Sequence, residues 1–250
     1  MFIDTHSHLY FDHFSPQRET ISRLLRAGFA ALILIGIDLE TSHKARELAR
    51  AFPGRIHFTA GLHPAYHHPP TALRELAGFF EEEPSPVAVG ECGIDLHHQT
   101  TPLHYQQELF AGQIELARER HLPVVVHQRS APAEVLAVVS RYPEVRFIFH
   151  CFDGSPDILA WGTSHQAYFG FAGNATYGDP DIEHAAKNLH PSYVLLETDA
   201  PFLAPHPWRG RPSHPAMLVA TAERVAHLRA TSLVEFAAQT ASNARKAFSL

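Results

Sequence analysis

Lysine is nearly missing from this chain, occurring only at Lys44, Lys187 and Lys246, and the net charge of −6 leaves no basic face broad enough to hold a long duplex by its phosphates. A small cationic pocket for a strand end or short segment is still compatible with that balance. Cysteine is as scarce: Cys92 and Cys151 make neither a CxxC pair nor a disulfide framework, which fits a reducing compartment and two buried, inert thiols. No apolar run approaches the length of a membrane span. The start, Met1-Phe2-Ile3-Asp4-Thr5-His6, lacks the basic segment and continuous apolar stretch of a signal peptide. The expectation is a cytoplasmic protein without a membrane partner, a monomer or weak oligomer. No Gly-rich loop of the GxGxxG or Walker type follows any apolar run, which weighs against a nucleotide-cofactor fold.

What the chain has is ample core material, 45% hydrophobic against 18% charged, over 250 residues, so a globular protein is expected. Short β-branched or apolar runs recur at Phe2 to Thr5, Ala31 to Gly36, Ile56 to Gly61, Val87 to Glu91, Pro123 to His127, Arg146 to His150, Ala167 to Phe171 and Tyr193 to Thr198. Their starts lie about 27 residues apart, close to one βα unit of a barrel. Helical segments alternate with them. Ser15-Pro16 precedes an amphipathic stretch to Ala27, with Gly28 placed to end it, and Ser155-Pro156-Asp157 opens another. Thr101-Pro102 begins the longest helix. Ser130 is positioned to cap the helix through Val138, and Asp179-Pro180 the one through Leu189. Two helices follow the eighth run, Pro215 to Leu228 and Ser232 to Phe248, the second with a Ser232–Glu235 capping box. This alternation predicts an α/β chain in which residues 1–250 form a single (β/α)8 TIM-barrel domain.

The chemistry collects at the strand ends. The first run carries His6 and His8, whose spacing in an extended strand puts both imidazoles on one side. The fourth ends with Glu91, the fifth with His127 and the sixth with His150, while Asp199 directly follows the eighth. Carboxylates and histidines often end strands because strands end at the surface, but six on five strands exceed that explanation, and in a barrel the C-terminal ends share one mouth. Six ligands also exceed the needs of one catalytic metal. Two divalent ions sharing a bridging carboxylate fit better. Their +4 against the −2 of Glu91 and Asp199 leaves a site near +2, suited to a phosphate inside an acidic protein. The ligand types admit Zn, Mn, Co or Ni, and Mg less comfortably.

The segments His6-Ser7-His8, Gly61-Leu62-His63-Pro64, Gly90-Glu91-Cys92-Gly93-Ile94-Asp95, His127-Gln128-Arg129, His150-Cys151-Phe152-Asp153-Gly154 and Glu197-Thr198-Asp199-Ala200-Pro201 resemble, in order and spacing, those of TatD-related metal-dependent deoxyribonucleases. Gln106-Gln107-Glu108-Leu109-Phe110 and Asn243-Ala244-Arg245 are similar to that family as well, so the resemblance spans the chain. It implies an amidohydrolase-like barrel, two divalent ions (Mg, Mn or Zn) and phosphodiester hydrolysis, with short or single-stranded DNA or RNA as substrate, attacked from the 3′ end. The implied ligands are His6, His8, Glu91, His127, His150 and Asp199, with Glu91 bridging. Departures stand at Arg209-Gly210-Arg211-Pro212-Ser213-His214-Pro215, at Ser130-Ala131 and at Ala65, all bearing on substrate choice rather than on the metal.

On this reading Asp199 positions the attacking water and takes its proton, Glu91 holds the metals, and Arg129 forks onto a phosphate oxygen. The expected partition puts His6 and His8 with Glu91 and Asp199 on one ion, and His127 and His150 on the other. His63 follows the third strand at the same mouth as a substrate contact or a loop-ordering residue. Glu197 is expected to support a ligand imidazole from deeper in the barrel, with Asp95 and Asp4 as weaker candidates. Phe152 and Trp208 are candidates for stacking on a base, while His67-His68 and His97-His98 read as solvated loop residues. Two other classes compete. An amidohydrolase or ester/aminoacyl deacylase can use the same barrel, although Glu91 stands where many two-metal amidohydrolases carry a modified lysine. The third class is a non-catalytic metal-binding protein.

Overall fold

The computed structural model describes residues Met1 to Leu250, and all eight apolar runs form strands. These are β1 (Phe2–Ser7), β2 (Phe29–Ile35), β3 (Ile56–Thr59), β4 (Val89–Asp95), β5 (Val124–Arg129), β6 (Phe147–Phe149), β7 (Tyr168–Phe171) and β8 (Val194–Leu196). Every pairing is parallel and joins sequence neighbours, in one sheet of β1 to β3 and another of β4 to β8. Two single bridges, Ala60 to Val89 and Ser7 to Ala200, join the sheets into a ring and make the (β/α)8 barrel.

Between the strands run α1 (Gln17–Arg26), α2 (Leu39–Ala51), α3 (Ala72–Gly78), α4 (Leu103–Glu119), α5 (Pro132–Val139), α6 (Pro156–Ser164), α7 (Pro180–Asn188), α8 (Leu218–Leu228) and α9 (Leu233–Phe248). Ser155, Asp179 and Ser232 cap their helices through side-chain oxygens, Ser232 in a reciprocal box with Glu235. Ser130 does not cap α5: Ala131 holds that position, and Ser130 turns the chain at φ +55°. None of these helices is long and apolar enough to cross a membrane.

Strand alternation divides the core in two. Leu32, Leu34, Phe58, Val124, Val126, Phe149 and Phe169 face the helices in a cluster of 53 residues. Ile3, Ala31, Ile33, Ile35, Val125, Ile148, Tyr168 and Leu195 fill the barrel, where Ala241, Ala244, Ala247 and Phe248 of α9 meet them. The last helix thus floors the barrel instead of joining its outer ring. Asn243 pins it there by donating to the carbonyls of Pro191 and Val194, and Arg146 donates to those of Lys246 and Ala247. These contacts satisfy carbonyls at the closed end and leave the opposite mouth for function.

Candidate metal centre

From the interior layer, every second residue leads upward to the mouth: Val125 to His127 on β5, Ile148 to His150 after β6, and Leu195 through Glu197 to Asp199 after β8. Strands β1 and β4 do not follow this count. Ile3 is interior, so strict alternation would aim Thr5 and Ser7 inward and His6 and His8 out; a register shift between Asp4 and Ser7 reverses the parity. On β4 a shift between Val89 and Cys92 does the same, placing both of those on the helix side and Glu91 on the mouth side. Irregularities of this kind re-aim side chains where pairing alone would misplace them. Gly93, at φ +147°, permits the close approach of β4 to β5, because a Cβ there would fall 1.9 Å from the His127 carbonyl oxygen.

Glu91, 3% exposed, is the hub. Its Oε1 lies 2.8 Å from His150 Nε2, 2.9 Å from His127 Nδ1 and 3.3 Å from His63 Nε2, and its Oε2 lies 3.3 Å from His6 Nε2. Asp199, at φ +55°, brings Oδ1 within 3.3 Å of His8 Nε2 and 3.6 Å of His6 Nε2. The fold therefore brings together all six expected ligands and His63. Three sets of ligand atoms lie within 4.8 Å of one another: His6, His150 and Asp199; His6, His8 and Glu91; and His63, Glu91 and His127. The first set differs from the expected partition, since the His150 ring stacks on His6 at 4.0 Å.

The donor set fits divalent cations. Both nitrogens of the fully buried His6 lack a hydrogen-bond partner, although Nε2 faces two carboxylates at near-contact distance without the alignment of a hydrogen bond. An orphaned buried nitrogen beside carboxylates is costly unless a cation lies among them. Charge points the same way. Burial opposes ionisation of Glu91, yet His150, His63 and His6 hold it well below the usual range; His8 and His6 likewise outweigh burial at Asp199. In return, despite burial, Glu91 and Glu197 push His150 well up, and Asp95 and Glu91 raise His127. Positive charge is favoured at His127 and His150, beside Glu91, and disfavoured at His6 and His63. Burial and then His150 lower His6, while burial and His127 bring His63 down to about 4.

Outer contacts set the imidazole tautomers. Tyr10 Oη donates to the Ile35 carbonyl at 2.7 Å and accepts from His8 Nδ1 at 2.8 Å, leaving the His8 Nε2 lone pair toward Asp199. His127 Nε2 lies 3.1 Å from Asp95 Oδ2, leaving Nδ1 toward Glu91. Glu197, 1% exposed, accepts from the Cys151 amide and Thr5 Oγ1 and lies 3.7 Å from His150 Nδ1. Gly170 makes room for it: a Cβ there would fall 2.2 Å from Glu197 Oε2. His63 is the exception. Its Nδ1 accepts from the Ala65 amide at 3.1 Å, so the neutral ring carries its proton on Nε2 and presents a donor rather than a lone pair to Glu91.

Other sequence readings need correction. Phe152 is 2% exposed and packs edge-on against Phe169 at 4.8 Å, so its ring has no face left for a substrate base. His98 is not merely solvated, because its Nδ1 reaches Asp95 Oδ2 at 2.7 Å, and the amides of His97 and His98 donate to Oδ1. His68 is buried and ties its ring to the His63 carbonyl. Arg129 ends β5 exposed and without an ion pair. Sequence reasoning missed Tyr10, for which the spacing His8-x-Tyr10 was the available signal, and the exposed rings of Tyr66 and Phe202, for which there was none.

The TatD related DNase family model matches residues 3–249. An uncharacterized metal-dependent hydrolase of Bacillus subtilis, YabD, is 31% identical over 99% of both chains. The 3′-5′ ssDNA/RNA exonuclease TatD of Erwinia tasmaniensis is 33% identical over 95% of both. Among solved structures, the TatD homolog YjjV of Escherichia coli superposes with a TM-score of 0.92 at 28% identity, over 100% of this chain and 98% of that one.

Proposed function

This chain belongs to the TatD related DNase family, and from that premise we propose that its single barrel domain, residues 1–250, removes nucleotides from the 3′ end of single-stranded DNA or RNA with two divalent ions. It is a metal-dependent hydrolase acting on ester bonds. The observation that carries the reading is Glu91, a buried carboxylate approached by four imidazoles and flanked by a second carboxylate, Asp199. His6, His8, Glu91 and Asp199 would hold one ion, and Glu91, His127 and His150 the other. Bound there, divalent cations supply Lewis acidity for a phosphodiester and for water.

The side chains do the rest. Asp199, held below the ordinary carboxylate range by His8 and His6 against the effect of burial, is ionised at neutral pH and takes the proton of the attacking water. Arg129 carries no competing ion pair and forks onto a non-bridging phosphate oxygen. His63 stays neutral and offers Nε2–H to the departing oxygen. Asp95 and Tyr10 hold His127 and His8 in the tautomers that point lone pairs inward, and Glu197 lies 3.7 Å behind His150 Nδ1 as a neighbouring negative charge.

The test is metal-free protein reconstituted with Mg, Mn or Zn and offered labelled single-stranded DNA, duplex DNA, RNA and an aminoacyl ester. Shortening of single strands from the 3′ end is the expected outcome. Turnover of the ester with none of the nucleic acids would place the enzyme among the deacylases instead.

A further inference from the structure

With 20 Lys and Arg, 17 of them Arg, set against 26 Asp and Glu for a net charge of −6, this protein has no general surplus of phosphate-tracking charge to hold a strand. Affinity must come largely from elsewhere. The exposed aromatic side chains are Tyr66, Phe202 and Trp208. A lone exposed ring is ordinary. Two of these three, however, lie against histidines of the centre. Phe202, 52% exposed, stands edge-on to His8 at 5.8 Å and to Phe11 at 6.4 Å. Tyr66, 47% exposed, stands edge-on to His63 at 5.6 Å. Both are anchored by their backbones, Phe202 through its amide to the Asp199 carbonyl at 2.8 Å and Tyr66 to the His63 carbonyl at 3.2 Å.

His8 stands against Asp199 Oδ1 and His63 against Glu91 Oε1, each at 3.3 Å, so the two rings flank different carboxylates of the centre. A phosphate seated over Glu91 places the nucleotides on its two sides toward these rings. We propose that Phe202, backed by Phe11, and Tyr66 are base-stacking platforms flanking the scissile phosphate, and that they select unpaired strands with little regard to base identity. Every base offers a flat face, whereas the bases of a duplex have theirs already stacked. This deepens the nuclease reading and rests on it.

The experiment compares the manganese-loaded enzyme on a single-stranded octanucleotide, on the same strand with abasic residues at its last two 3′ positions, and on methyl p-nitrophenyl phosphate, a diester without bases. Wild type should prefer the normal strand over the abasic one by about tenfold or more in kcat/KM, in keeping with the energy of base–aromatic stacking. Phe202→Ala and Tyr66→Ala should each shrink that ratio severalfold through KM, and Phe202→Tyr and Tyr66→Phe should restore it. Phe202→Leu, which keeps an apolar contact with Phe11 but no flat ring, should lose it too and covers the case in which the alanine variant folds poorly. An unchanged ratio in both alanine variants, or a wild type indifferent to abasic ends, overturns the platforms while leaving the nuclease standing. A wild type that hydrolyses neither strand nor diester removes the nuclease reading, and the platforms with it.

Discussion

Tyr10 Oη accepts from His8 Nδ1 at 2.8 Å while giving its own proton to the Ile35 carbonyl at 2.7 Å. The second bond decides the first. A hydroxyl committed as donor to a carbonyl can only accept from the imidazole, so the His8 proton stays on Nδ1 and its Nε2 lone pair stays on the metal side. Burial raises the Tyr10 hydroxyl well above its usual range, which keeps the donor in place at any working pH.

Tyr10→Phe should therefore leave the barrel folded and weaken metal binding by about 10- to 100-fold, the usual effect of losing such a partner. Calorimetric titration of the metal-free protein reads this directly. Affinity equal to wild type would mean that His8 is oriented by its neighbours' packing alone.

Asp199→Asn keeps an oxygen near His8 but removes the base. Turnover of single-stranded DNA, measured at saturating metal so that occupancy is full, should fall by about 100-fold or more, within the range for loss of a general base. Wild-type turnover at full metal content would take the base role from Asp199.

Gly170→Ala tests the support of Glu197. The added Cβ would meet Glu197 Oε2 at 2.2 Å, so the carboxylate must move away from the Cys151 amide and His150. Overpacking of this kind costs about 1–3 kcal/mol. Urea denaturation should show that loss, and the effect should not add to that of Glu197→Ala, since the smaller side chain removes the overlap. Additive effects would place the strain elsewhere.

Asp4 gives a prediction with pH. Burial lifts its carboxyl from 3.8 to about 7, even though it accepts from the amides of His6 and Thr198 and from Thr198 Oγ1. An acid whose folded pKa is raised binds its proton more tightly when folded. Its contribution to stability is therefore present at low pH and declines as pH rises from about 4 to 7, then levels off. Asn keeps the acceptor, can donate to Thr198 Oγ1 and does not titrate. In the metal-free protein, the stability difference between Asp4→Asn and wild type should grow by up to about 4 kcal/mol from pH 4 to pH 8. Parallel pH profiles from urea unfolding would show that Asp4 ionises normally.

Much of the architecture was legible because its signals are local. Each β-branched run became a strand, and Ser155, Asp179 and Ser232 capped the helices they precede. Helices α2 and α3 lack such a signal, since the Asp38–Thr41 capping box that opens α2 uses a threonine where the usual partner is acidic or an amide, and α3 has no side-chain cap at all. The orientation of Phe152 is not legible in the sequence, because its position two residues after His150 says nothing about which way its ring turns.

By itself the sequence determined the eight-unit alternation and the kinds of residue at the strand ends, because both are written in local periodicity and residue type. Only the tertiary structure decided which of those residues meet. The parity of His6, His8 and Glu91 depends on register shifts in β1 and β4, which arise from pairing with neighbouring strands and leave no trace in a period of two. The same holds for the tautomers, set by Tyr10, Asp95 and Ala65 across loops, and for the rings of Phe202 and Tyr66, which become substrate platforms only because the closed barrel carries them to one metal centre.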